Sequence, residues 1–143
     1  MIKMNISTKG RYGLRAMIEL ALRYEEGPLS LREIADSQQI SYKYLEQLVP
    51  SLKAEGLIES YQGSKGGYSL KKAPDEISAL EVVKALDGSL APVECVEDPK
   101  LCDRYSFCAT QELWNEINES LRKLLRSKTL KQLAKKKKDK INI

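Results

Sequence analysis

Histidine is absent from this 143-residue chain. That removes the commonest general base and the commonest nitrogen ligand for metals. The remaining residues build neither a nucleophile–base pair nor a nucleotide-binding loop, so the sequence points away from an enzyme. Cysteine is scarce too: three residues, an odd number, argue against a disulfide framework and for reduced thiols. No apolar run approaches the ~20 residues that a membrane span requires. Residues 1–15 lack the continuous apolar segment of a signal peptide. These absences predict a cytoplasmic protein that does not engage a membrane.

Charge is present but unevenly spread. The formal net charge is +4, yet ten Lys or Arg fall between Arg122 and Lys140 with only Asp139 against them. The rest of the chain is slightly acidic. A nucleic-acid footprint must therefore come from the local placement of cations, not from the total.

The most informative stretch is Ser30 to Leu70. Ser30 and Glu33 form an S-x-x-E capping box, which opens a helix with Leu31, Ile34 and Ala35 on its apolar side. A polar break at Asp36 to Gln39 is expected to end it. Ser41 caps a second helix, in which Leu45, Leu48, Val49 and Leu52 make one buried stripe. Pro50 cannot donate to the Glu46 carbonyl, which predicts a local bend. Gly56 stops the helix. Leu57 to Tyr61 and Tyr68 to Leu70 read as strands around a flexible basic tip, Gly63 to Gly67. Helix, turn, helix and hairpin together predict a winged helix-turn-helix, whose second helix enters the major groove of DNA. Ser41, Tyr42, Lys43, Tyr44, Glu46 and Gln47 would then face the operator, with Ser64 and Lys65 on the wing.

Upstream, Ser7 or Thr8 starts a helix with Leu14, Met17, Ile18 and Ala21 on its core side. Lys9 and Arg11 gather at its entrance, where free N–H groups also favour anions. This assigns Ser7, Lys9, Arg11 and Tyr12 to the phosphate backbone. Downstream, Ser78 and Glu81 form a second capping box, before a helix with Leu80, Val83 and Leu86 inside. The longest helix spans Thr110 to Ser127. Its Trp114, Ile117, Leu121 and Leu124 step by 3, 4 and 3, a seam that predicts a homodimer. Thr129 caps a last short helix with Leu130 and Leu133. From Lys135 on, the lysines read as a solvated tail. Three segments follow: a winged helix-turn-helix domain at 1–88, a cysteine loop at 89–109, and a dimerisation helix with a basic tail at 110–143. The predicted fold class is mostly α with a small β-wing.

Cys95, Cys102 and Cys108 are spaced C-x6-C-x5-C in an irregular segment. Thiolates are soft ligands for iron–sulfur clusters, zinc or copper. Spacing alone leaves bound metal and metal-free thiols both open.

The chain also resembles the small winged-helix regulators typified by IscR, NsrR and CymR. The landmarks are STKGRYGLRAMIELA at Ser7 to Ala21, SLREIA at Ser30 to Ala35, YLEQL at Tyr44 to Leu48, LKAEGLI at Leu52 to Ile58, GGYSL at Gly66 to Leu70 and CATQELW at Cys108 to Trp114. The resemblance implies a dimeric transcription regulator, usually a repressor, acting on double-stranded DNA with the long late helix as dimer arm. In cluster-binding members three cysteines hold iron–sulfur. That maps onto Cys95, Cys102 and Cys108 and places a 2Fe–2S cluster ahead of a 4Fe–4S cluster. Gln111 stands where IscR-like members carry a histidine ligand, and Arg11 where NsrR-like members carry an aspartate. The fourth ligand stays open among Glu112, Asp98, Asp103, a partner-chain oxygen and an exogenous thiol. Gln62 replaces the arginine that precedes the wing glycines in IscR. CymR-like members lack the cysteines and regulate cysteine metabolism through a protein partner. That alternative, and a metal-free thiol redox sensor, are the rival readings.

Overall fold

A computed structural model describes residues 6–90 and 108–141. Cys95 and Cys102, and with them most of the expected cysteine loop, lie outside the described residues. Among the described residues the chain forms α1 (Thr8–Leu22), α2 (Leu31–Gln38), α3 (Tyr42–Ala54), β1 (Ile58–Tyr61), β2 (Gly67–Leu70), α4 (Ala79–Asp87), α5 (Gln111–Ser127) and α6 (Leu130–Ile141). The architecture is the expected one, mostly helical with a two-stranded antiparallel wing. No described helix is long and apolar enough to cross a membrane.

The capping signals give the helices their starts. Ser30 Oγ accepts from the Glu33 amide at 3.1 Å and Glu33 Oε2 accepts from the Ser30 amide at 2.8 Å. The same reciprocal pair joins Ser78 and Glu81 at 3.2 Å in both directions. Thr129 and Gln132 cap α6 in the same way. Each box satisfies two amides that the helix leaves free. The helix α2 does not stop at Asp36 but runs to Gln38, whose side chain is buried by partners on α1.

The core forms on both sides of α4. Met17, Ile34, Leu45, Leu57, Ile77, Val82 and Leu130 are all fully buried in one cluster. A second cluster holds Leu80, Val83 and Leu90, with Leu121 and Leu125 of α5 packed on it. Burying one such side chain contributes about 1.5–3 kcal/mol. On α1 the buried face differs from the expected stripe. Gly10, Gly13, Ala16, Met17 and Leu20 are inside, while Leu14, Ile18 and Ala21 are only half-buried. The small residues let α4 come close: a Cβ at Gly13 would collide with the Leu86 side chain.

The lysine-rich end is helical rather than an irregular tail, and Lys135, Lys136, Lys138 and Lys140 are exposed to solvent while Lys137 is half-buried. The helix α6 continues through the lysines to Ile141, with Leu130 and Ala134 buried. The pairs Ala79 N–H to Lys128 O (2.8 Å) and Leu130 N–H to Ile77 O (2.9 Å) fix its start beside α4. Farther along, Lys137 Nζ reaches Glu19 Oε1 of α1 at 2.9 Å. Glu19 is 5% exposed and also accepts from Ser37 Oγ at 2.9 Å and Gln38 Nε2 at 2.7 Å. Sequence reading missed this anchor because its ends lie 118 residues apart.

Burial by itself pushes the Glu19 carboxyl up, but the hydrogen bonds from Lys137, Gln38 and Ser37 outweigh it and hold the group below the ordinary carboxylate range. A carboxyl depressed in the folded state contributes stability above its unfolded value, and that contribution is lost as pH falls through the folded value. Glu19→Gln should therefore flatten the loss of stability below the ordinary carboxylate range, read by urea unfolding at stepped pH. An acid profile identical to the parent's would exclude Glu19 from that linkage.

Candidate nucleic-acid interface

The turn between α2 and α3 positions the exposed face of α3. Gln39 takes the left-handed conformation, φ 54°, the only non-glycine residue to do so among those described. The Ile40 amide bonds back to the Ala35 carbonyl at 3.0 Å. Ser41 Oγ then accepts from the Tyr44 amide at 3.3 Å and starts α3. Ser41, Tyr42, Lys43, Glu46 and Gln47 are exposed, while Leu45, Leu48 and Leu52 face the core. The helix runs through Pro50 to Ala54.

Tyr44 is half-buried, and its role differs from that of its neighbours. Its ring meets Tyr12 of α1 edge-on, centroids 5.7 Å apart and planes at 89°. Arg15 stacks over the other side of the joint, 5.2 Å from the Tyr12 centroid. Tyr12 and Tyr44 thus hold α1 against α3. Such an aromatic pair contributes about 0.5–1.5 kcal/mol beyond its area.

The wing follows directly from α3. Ile58 pairs with Leu70 and Tyr61 with Gly67, and Ser64 and Lys65 lie exposed at the tip. Leu29 bridges Tyr68 by a reciprocal pair of backbone bonds, 2.9 and 2.7 Å, tying β2 to the entrance of α2.

At the entrance of α1, Lys9 and Arg11 are exposed, and Arg11 Nη2 donates to Thr8 Oγ1 at 3.1 Å. Ser7 is engaged elsewhere. Its amide donates to Asp87 Oδ2 at 3.0 Å and its hydroxyl donates to Asp87 Oδ1. A carboxylate from the end of α4 therefore sits where helix geometry favours an anion.

Sequence reading missed two further cations. Arg32 of α2 lies over the Tyr42 ring, 5.0 Å to the centroid, and adds positive charge beside the start of α3. Arg15 donates from Nε to Gln38 Oε1 at 3.1 Å and from Nη2 to the Gln38 carbonyl. The available signal was an arginine one helix away from an exposed tyrosine, and attention to α3 alone passes over it.

Of the three cysteines, Cys108 is described. It is half-buried just before α5, with Sγ 3.3 Å from the Thr110 hydroxyl. The Gln111 amide lies 3.4 Å from the Cys108 carbonyl. Gln111 is 8% exposed, and its Nε2 has no hydrogen-bond partner among the described residues. An orphaned buried donor costs about 1–3 kcal/mol, so its position three residues after Cys108 fits an acceptor bound there, a thiolate or a sulfide. Nε2 is a donor only and does not suit iron itself. Among the described residues no three His, Cys, Asp or Glu stand together as a metal site.

Residues 6–136 match the family model Rrf2, described as iron-dependent transcriptional regulator. The chain is 46% identical over 131 residues to the HTH-type transcriptional regulator CymR of Bacillus subtilis, covering 92% of this chain and 90% of that one. The solved structure of CymR, the global cysteine regulator of B. subtilis, superposes with a TM-score of 0.78 at 44% identity, covering 94% of this chain and 98% of that one. T. potens IscR superposes with a TM-score of 0.77 at 37% identity, covering 92% and 87%. The helix-turn-helix, the wing and this end-to-end likeness together place the chain in the Rrf2 family of transcriptional regulators.

Proposed function

We propose that the chain is a homodimeric, DNA-binding repressor whose operator affinity is switched by an iron–sulfur cluster on Cys95, Cys102 and Cys108. The exposed polar face of α3 carries the DNA-binding half of this reading. Tyr42, Lys43 and Gln47 face the major groove, flanked by Ser41 and Glu46, with Lys43 on phosphate. Ser64 and Lys65 contact DNA from the wing, and Lys9 and Arg11 bind phosphate from α1. Gln47 pairs bidentately with adenine, worth roughly 1–3 kcal/mol of discrimination. Tyr12 and Tyr44 act mainly by holding α1 on α3, and Ser7 reaches phosphate only by leaving Asp87. Lys65→Ala should weaken binding to all sequences alike and lower the salt slope by about one unit. An unchanged slope would take Lys65 off the DNA.

The orphaned Nε2 of Gln111 supports the sensor half. Three soft thiolates would hold the cluster, and Gln111 offers a donor to sulfur. The cluster, when bound, supplies iron that oxidants or nitric oxide attack. Cys108 stands three residues before α5, so a constraint at Cys108 bears on the dimer helix. A few kcal/mol between two states suffice for a switch, since ~1.4 kcal/mol is tenfold.

The test is anaerobic purification with iron and sulfide analysis and an absorption spectrum. Coloured protein is expected, bleached by each Cys→Ala change without loss of helical signal. Gln111→His should improve cluster retention if position 111 faces the iron. Protein that stays colourless and iron-free after reconstitution supports the second reading, which the 46% identity to CymR favours. That reading is a cluster-free regulator of cysteine metabolism, controlled by a protein partner or by thiol oxidation.

A further inference from the structure

We propose that Lys137, Glu19, Gln38 and Arg15 are positioning residues that let the C-terminal helix α6 set the seat of the DNA-reading helix α3. The proposal rests on the DNA-binding reading above. Its links are continuous, and all but the Arg15–Tyr12 contact within α1 cross between helices. Lys137 Nζ of α6 binds Glu19 Oε1 of α1 at 2.9 Å. Gln38 Nε2 of α2 binds the same oxygen at 2.7 Å. Gln38 Oε1 accepts from Arg15 Nε of α1 at 3.1 Å, and Arg15 Nη2 donates to the Gln38 carbonyl. Arg15 lies over Tyr12, and Tyr12 meets Tyr44 of α3.

The chemistry gives the relay a direction. A carboxamide has one donor end and one acceptor end. Glu19 takes the donor end of Gln38, which leaves the acceptor end for Arg15. Gln38 is the last residue of α2, next to the left-handed Gln39 that turns the chain into α3. Fixing Gln38 therefore fixes the turn from which α3 projects. Three donors converge on one Glu19 oxygen in a setting 5% exposed. Low dielectric strengthens each of them and makes the loss of one felt by the others. Lys137 is the only cation among these partners, so its removal leaves a buried carboxylate held by neutral donors alone.

The experiment uses the full chain and a DNA duplex that the wild-type protein selects from a random-sequence pool. Affinity for that duplex and for an unselected duplex is measured across salt concentrations. Lys137→Met is expected to lower affinity for the selected duplex about five- to tenfold, at an unchanged salt slope, with affinity for the unselected duplex unaltered. Gln38→Ala should do the same, and the double variant should be little worse than either single one, because both cut one chain. Lys136→Met, on the same helix and exposed, should leave the selected-to-unselected ratio unchanged. An unfolded variant would lose both affinities together, so the ratio separates positioning from simple destabilisation. The proposal is overturned if Lys137→Met lowers the salt slope by about one unit, which marks a direct phosphate contact. It is also overturned if the ratio is unchanged in Lys137→Met, if the two losses add, or if both affinities fall together. Failure of the wild-type protein to select any duplex would instead remove the DNA-binding reading, and the relay with it.

Discussion

Replacing Leu113, Ile117 and Leu124 with glutamate should convert the protein to a monomer and reduce operator affinity ~100-fold or more. Leu113 is 49% and Leu124 58% exposed, large apolar side chains left open to solvent. Ile117 lies between them and is half-buried. The three are spaced by four and seven residues, which puts them on one face of α5. The expected seam was Trp114, Ile117, Leu121 and Leu124, but Leu121 and Leu125 pack on Leu80, Val83 and Leu90 of their own domain. The apolar residues of the helix thus divide by face, and a Leu121 substitution would damage the fold. A two-fold interface doubles every change, since each glutamate meets the same patch on the partner. An uncompensated charge buried in such a contact costs about 3–5 kcal/mol. Two-fold DNA readers bind two half-sites, so a monomer loses the second site's effective concentration. Sedimentation equilibrium and duplex binding would report both effects. A wild-type monomer at micromolar concentration, or a triple variant that still sediments as a dimer, would remove α5 as the dimer arm.

The parts of this fold that were legible in the sequence are those encoded within a few residues. Ser30 with Glu33 and Ser78 with Glu81 announce helix starts because the cap is complete within four positions. The wing announces itself through β-formers on either side of Gly63 to Gly67. The exposed α3 face follows from the period of Leu45, Leu48 and Leu52. What escaped reading is what distance in the chain conceals. Asp87 meets Ser7 across 80 residues and Lys137 meets Glu19 across 118. No local pattern marks either pair, so neither the anchor of Lys137 nor the Asp87 contact of Ser7 could be read from the sequence. The burial of α1 was misplaced for a different reason. Gly13 and Ala16 carry little apolar surface and so register weakly as core, yet their small size is what admits α4. Tyr12 and Tyr44 read as DNA contacts from their polar tips, and no local pattern marks their packing as well. Only the three-dimensional arrangement shows their rings against one another.

Gly67→Ala should lower the stability of the folded chain by roughly 2–5 kcal/mol, the sum of a strained backbone and an overpacked contact. Gly67 sits at φ 148°, in the region that side chains rarely adopt. A Cβ there would lie 2.7 Å from the Ser30 amide nitrogen and closer still to the Leu29 carbonyl. These are backbone atoms and cannot swing aside as a side chain does. Relief would require separating Leu29 from Tyr68, whose two reciprocal hydrogen bonds join β2 to the entrance of α2. The strain would pass to Ser30, the cap of α2, and so to the helix-turn-helix. Gly63, at the other end of the tip, gives the control. It has φ 104° but open space where a Cβ would go. Gly63→Ala should therefore cost only the backbone part, about 1–3 kcal/mol. At roughly 3–5 °C per kcal/mol for a chain of this size, Gly67→Ala should melt about 6–25 °C below the parent. Thermal unfolding followed by circular dichroism measures both variants. If Gly67→Ala melts with the parent, or if Gly63→Ala melts lower than Gly67→Ala, the close approach of wing and helix entrance does not carry the stability assigned to it.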